Sequence, residues 1–151
     1  MKYFFILTFI FFTLFPANAI KKINANPVNV AFILAQEKDT VKMATLCDYY
    51  GYRSQQSNDG YITYVHPSGS IIRYTFKDVT EEQPYPRVEV KSKLSSKDVD
   101  FTLTDLNFRK LGSGYERKLG QYARSVFHCQ NGSGGFLIFH QRYVPRKEKE
   151  L

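Results

Sequence analysis

The sequence predicts a single small α+β domain in which antiparallel β-hairpins form a sheet packed by one or two helices. Three observations carry that prediction. Gly60–Phe76 reads GYITYVHPSGSIIRYTF, two alternating strands about a Pro67-Ser68-Gly69 turn. Asp39 is followed by Met43, Leu46, Cys47 and Tyr50, the spacing of one helical face. A second pair of apolar, aromatic-rich runs, Gln121–Gln130 and Gly135–Val144, flanks Asn131-Gly132-Ser133-Gly134.

The first nineteen residues read as a secretory signal peptide. Met1-Lys2 is a short basic start, Tyr3–Phe15 is an apolar run, and Ala17-Asn18-Ala19 is a small-x-small cleavage site. The run is too short for a full membrane span, and Pro16 ends it; the alternative is an uncleaved anchor helix. The expected mature chain is Ile20–Leu151, one domain, exported to a periplasm or the exterior and not integral to a membrane once processed.

Asn29–Glu37 is an apolar run of ambiguous type. Together with the periodic stretch after Asp39 it predicts one helix, or two abutting ones, over 29–50, with a break at Lys38-Asp39 and a glycine stop at Gly51. Arg53–Asp59 is polar and reads as a loop. In the first hairpin the three-residue turn pairs His66 with Ser70, Tyr64 with Ile72 and Ile62 with Tyr74. One face then carries Ile62, Tyr64, Ile72, Tyr74 and Phe76 toward a core.

Acidic, proline-interrupted residues 79–86 form the candidate linker between sub-units 29–78 and 87–144. Arg87–Leu94 reads as a strand. Asp98–Leu103 alternates through Val99, Phe101 and Leu103, a strand pattern, and Thr104–Leu111 reads as a short helix before Gly112. Residues 146–151 are a charged, frayed tail. The halves echo each other, with Gly51-Tyr52, His66 and Gly69 set against Gly114-Tyr115, His128 and Gly132. This is either a tandem helix–hairpin repeat or a coincidence among residues common in β-proteins.

The net charge is +7. Residues 20–86 carry seven basic and seven acidic side chains, whereas 87–151 carry thirteen basic against seven acidic. An excess of that kind favours an anionic partner, whether acidic protein, other anionic macromolecule or nucleic acid. The aromatic and basic residues Tyr115, Arg117, Lys118, Tyr122 and Arg124, with Arg142, are the candidate binding set; the alternative is the wet face of a strand. No P-loop, nucleophile elbow, H-E-x-x-H or C-x-x-C is present, and no His/Cys set has zinc-ligand spacing, so no cofactor or metal is predicted. Cys47 and Cys129 are the two cysteines, and export predicts a disulfide between them; the alternative is two buried free thiols.

One catalytic alternative follows from the histidines. A metal-independent ribonuclease needs a base, an acid and a cation beside the phosphate, roles that His128, His140 and Arg124 would fill. Register decides it. A four-residue loop at 131–134 puts the histidines on opposite faces; a three-residue loop at 132–134 puts them on one face, with Arg124 and Arg142. The leading expectation is a non-enzymatic binding protein, for example of the inhibitor or immunity type, and the ribonuclease is the alternative.

Overall fold

Asn26 opens the first helix by accepting a hydrogen bond at Oδ1 from the Val28 amide at 2.9 Å, and Pro27, whose missing N–H costs nothing there, takes the first turn. This helix, α1, spans Pro27–Leu34. Asp39 caps the second, α2 (Thr40–Tyr49), accepting from the Val41 and Lys42 amides at 2.8 and 3.3 Å. The ambiguous run is therefore helical, and the expected break at Lys38-Asp39 is present. The computed structural model describes residues 25–58, 60–77, 79, 85–119 and 125–143. The expected signal segment 1–19, most of linker 79–86, Tyr122, Arg124 and tail 146–151 lie outside the described residues.

Strands β1 (Arg53–Asn58), β2 (Tyr61–Val65), β3 (Ile71–Thr75) and β4 (Arg87–Lys91) follow α2. Helix α3 (Ser96–Asp105) comes next, and then β5 (Arg109–Leu111), β6 (Gly114–Leu119), β7 (Ser125–Asn131) and β8 (Leu137–Tyr143). They form one eight-stranded sheet in the order β1-β2-β3-β4-β8-β7-β6-β5, antiparallel throughout. The first hairpin has the expected register, with Tyr64 opposite Ile72 and Ile62 opposite Tyr74.

Three expectations are corrected. Arg53–Asp59, read as a loop, supplies β1: an edge strand with a wet surface needs few apolar residues. Asp98–Leu103, read as a strand, is helical. The Ser95–Asp98 capping box starts α3, and Val99, Thr102, Leu103 and Leu106 form its inner stripe. Phe101, which completed the apparent alternation, is 74% exposed. Thr104–Leu111 is no separate helix: α3 ends at Asp105, and Gly112, at φ 57°, turns β5 into β6.

The three helices of the described residues lie on one face of the sheet. Val28, Val30, Ala31, Phe32 and Leu34 of α1, Met43 and Cys47 of α2, and Leu103 of α3 share a buried cluster with Tyr64, Ile72, Tyr74, Val88, Val90, Phe127, Cys129, Leu137 and Phe139. At its centre the Phe32 ring meets Phe108, Phe127 and Phe139 with centroids 5.4, 5.2 and 6.2 Å away. Asn26 Nδ2 donates to Thr102 Oγ1 at 2.8 Å, fixing the start of α1 to α3.

The two halves repeat, though not as a helix and a hairpin. Each is a ten-residue helix followed by a four-strand meander. The last strands, β4 and β8, pair at the centre of the sheet. The helix ends match residue for residue. Tyr52 N–H donates to Cys47 O at 2.8 Å and Gly51 N–H to Asp48 O at 2.9 Å; Phe108 N–H donates to Leu103 O at 2.9 Å and Asn107 N–H to Thr104 O at 2.9 Å. Both are Schellman motifs, with a left-handed residue (Gly51, φ 81°; Asn107, φ 60°) and a buried aromatic after it. The constant spacing runs from the caps Asp39 and Ser95 to Arg53 and Arg109, so the correspondence seen in the sequence was misaligned. In strand order β2–β3 matches β6–β7, not the β7–β8 hairpin that carries His128 and Gly132.

Candidate functional site

Strand alternation sorts the sheet's charges by face. Opposite the helices lie Arg53 on β1, Arg73 on β3, Arg87 and Lys91 on β4, Arg109 on β5, Lys118 on β6 and Arg142 on β8. Among the described strand residues the acidic side chains on the same face are Glu89 and Glu116. The positive face is thus not confined to the C-terminal half. Arg53 and Arg73 come from the neutral half, whose described acids sit on α2 (Asp48), at its cap (Asp39) and in the link before it (Glu37).

At the middle of this face Glu89, 8% exposed, is held between two guanidiniums. Arg73 Nη1 donates to Glu89 Oε2 at 2.9 Å, and Arg87 Nε stands 3.2 Å from Oε1 outside hydrogen-bonding geometry. One carboxylate thus serves two cations. The Arg73 guanidinium also stacks over Phe136 and Tyr61, at 4.8 and 5.7 Å from the ring centroids.

The predicted residues separate as follows. Arg117 and Lys118 are neighbours on β6 and face opposite ways. Arg117 lies on the helix side with its guanidinium 4.9 Å from the centre of the Phe32 ring, so it covers the core; Lys118 is on the helix-free face with Arg142. Tyr122 and Arg124 lie outside the described residues. His128 and His140 are direct cross-strand partners. The register that brings them together differs from both loops considered: Asn131 pairs with Leu137, and a 3-10 turn at Ser133–Gly135 occupies the connection. Arg87 stands opposite His140, and Glu116 opposite His128. Arg87 and Arg73 are the functional candidates missed in the sequence; the signal was there in the alternation of RVEVK and IIRYT.

The expected Cys47–Cys129 disulfide is not formed; both thiols are free and buried. Cys47 Sγ lies 3.6 Å from Met43 Sδ and interacts electrostatically with Tyr64 and Tyr74 of β2 and β3, whereas Cys129 is on β7. From β3 to β7 is three strand spacings, about 14 Å, about twice the Cα separation a disulfide tolerates. Burial pushes the Cys47 thiol up to about 12 and raises Cys129 as well, so both are neutral and unreactive.

His66 belongs to its turn. Ser68 N–H donates to His66 Nδ1 at 3.1 Å, and Nδ1, Ser68 Oγ, Ser70 Oγ and Tyr52 OH form a chain at 2.7, 3.2 and 3.0 Å. A cleft of about 310 Å³ opens beside it, with Lys93 in its wall. Tyr115 OH donates a hydrogen bond to Asp100, which holds that carboxyl below the usual range, and Lys110 adds an ion contact at 3.6 Å. Among the described residues no group of three His, Cys, Asp or Glu could hold a metal ion, and no helix is long and apolar enough to cross a membrane. No family model, curated protein or solved structure matches the chain.

Proposed function

We propose that this chain is an exported, non-enzymatic binding protein that engages an acidic protein through the helix-free face of its sheet, as an inhibitor or immunity protein would. The observation that carries this reading is the sorting of charge: seven described Arg and Lys side chains against two Glu on that face. Eight antiparallel strands make it about 34 Å across, wide enough for a protein partner rather than a single strand of nucleic acid. Met1–Ala19 supports export, and intact-mass analysis of secreted material should find a chain beginning at Ile20.

Binding of the processed chain to poly-L-glutamate, at low and at physiological ionic strength, tests the reading. Binding should weaken as salt rises. The triple variant Arg53→Ala, Lys118→Ala, Arg142→Ala should lose most of it, and the off-face pair Lys97→Ala, Lys110→Ala should not. Equal losses from both variants would leave only non-specific charge and sink the proposal.

A second reading has one observation of its own. His128 and His140 face each other across β7 and β8, the side-by-side arrangement that an acid and a base of a metal-independent ribonuclease require. RNA cleavage without added metal, abolished by His140→Ala and bell-shaped between about pH 5 and 8, would replace the binding reading with this one.

A further inference from the structure

The helix-free face carries one row of ionisable side chains on consecutive strands, in which Glu116 stands at one end and three residues able to hold an oxyanion follow it. Glu116, His128, His140 and Arg87 are opposite one another across β6, β7, β8 and β4. Directly opposed side chains in antiparallel strands have Cβ atoms about 5 Å apart, so two imidazoles and a guanidinium fall within about 10 Å along the row. Among the described residues Arg87 has Glu89 as its ionic partner, with Nε 3.2 Å from Oε1, and Glu89 is already bonded by Arg73. A guanidinium has five N–H donors, more than that one contact uses, and its planar fork is the geometry that binds a second carboxylate.

We propose that Arg87, His140 and His128 form a proton-linked receptor for a carboxylate of the acidic partner, an inference that rests on the binding reading above. Histidine changes charge between pH 5 and 8, and a protonated imidazole donates from both nitrogens. Two cationic imidazoles side by side repel, and an anion seated against both removes that repulsion, so binding takes up protons. Among the described residues the charges facing the pair are Glu116 and Lys118 from β6, Arg87 and Glu89 from β4, and Arg142 on β8 itself. The sign follows: a bound anion favours the protonated form, so affinity rises as pH falls from 8 to 6, by on the order of tenfold for one proton taken up.

The test uses the whole processed chain with poly-L-glutamate as probe at fixed ionic strength, titrated at pH 8 and pH 6. Calorimetry in two buffers of different ionisation enthalpy reads proton uptake directly. Wild type should bind about tenfold tighter at pH 6 with proton uptake. The double variant His128→Ala, His140→Ala should lose the pH dependence and keep its pH 8 affinity within about twofold. Arg87→Lys keeps the charge and loses the fork, so it should weaken binding at both pH values while leaving the melting curve in place. A pH dependence that survives the histidine changes overturns the receptor while the binding reading stands. Absence of binding at either pH overturns the reading itself. An oligothymidylate bound more tightly than polyglutamate, with the same histidine-dependent slope, would assign the row to phosphate and overturn the carboxylate.

Discussion

Replacing Phe32 with alanine tests whether α1 is the keystone of the core. The side chain is 5% exposed and its ring touches Phe108, Phe127 and Phe139, with Arg117 lying over its outer face. Truncating a buried phenylalanine costs about 3–5 kcal/mol, the transfer loss plus the cavity left behind. Three aromatic neighbours on different strands and loops cannot collapse together into that space, which favours the upper half of the range. Against a total of about 5–15 kcal/mol for a domain of this kind, that is about a quarter of the stability or more. Phe101 supplies the control: it is 74% exposed on α3, and its replacement should stay within about 0.5 kcal/mol. Urea unfolding followed by far-ultraviolet circular dichroism measures both. A double cycle with Phe127→Ala should show coupling of about 0.5–1.5 kcal/mol from the edge-on ring pair. A Phe32→Ala loss under about 1 kcal/mol with an unchanged denaturant slope would refute the central placement of α1.

Cys47 and Cys129 should resist a thiol reagent in the native protein and titrate as two thiols once it is unfolded without reductant; a titre of zero would restore the disulfide. Burial chiefly pushes the Tyr74 and Tyr115 phenols up to about 12 from 10.0, and the Cys47 thiol to about 12 from 9.0. These groups fold neutral, so the stability they lend is complete below pH 9 and drains away as pH rises toward 12. The urea midpoint should therefore fall between pH 9 and 11, and a flat profile there contradicts the burial. At the left-handed C-terminal position of α3, Asn107→Ala should cost about 1 kcal/mol while Asn107→Gly costs nothing or stabilises. Equal effects would deny the Schellman geometry.

What could be read in the chain before its structure depended on how local the determinants were. The Gly60–Phe76 hairpin was legible to the residue because turn chemistry and alternation agree there. Asp39 and Gly51 marked the ends of α2, and Met43, Leu46, Cys47 and Tyr50 marked its face. Asp98–Leu103 misled because Val99 and Leu103 belong equally to a period of two and to a helical stripe, and the capping box beside them was the better guide. β1 was invisible because an edge strand packed on one side only can be built from Arg, Ser, Gln and Asn. The candidate site was harder still. Charge counted along the chain assigned the positive field to one half, whereas pleating assigns it to one face, and Arg73 and Arg87 join it only when β3 and β4 pair. The His128–His140 contact hung on the hairpin register, and a five-residue connection containing a 3-10 turn could not be foreseen from its glycines.

The strand order also constrains how the chain reaches its native state. Every pairing but one joins strands adjacent in sequence, so six of the seven ladders form by closing short loops. The exception is β4 against β8, four residue pairs from Arg87–His140 to Val90–Leu137. The loop it closes contains α3, β5, β6 and β7, which makes it the ladder of highest contact order among those of the described residues. Each meander can therefore zip up by itself, leaving the central seam to dock late, with α1 laid across it. Val90→Ala, at that seam, should speed unfolding far more than it slows folding, whereas Ile72→Ala, inside the first meander, should slow folding. The row that carries Arg87 and His140 is assembled by that same last event, so partner binding is expected only from the fully docked chain and never from either half alone.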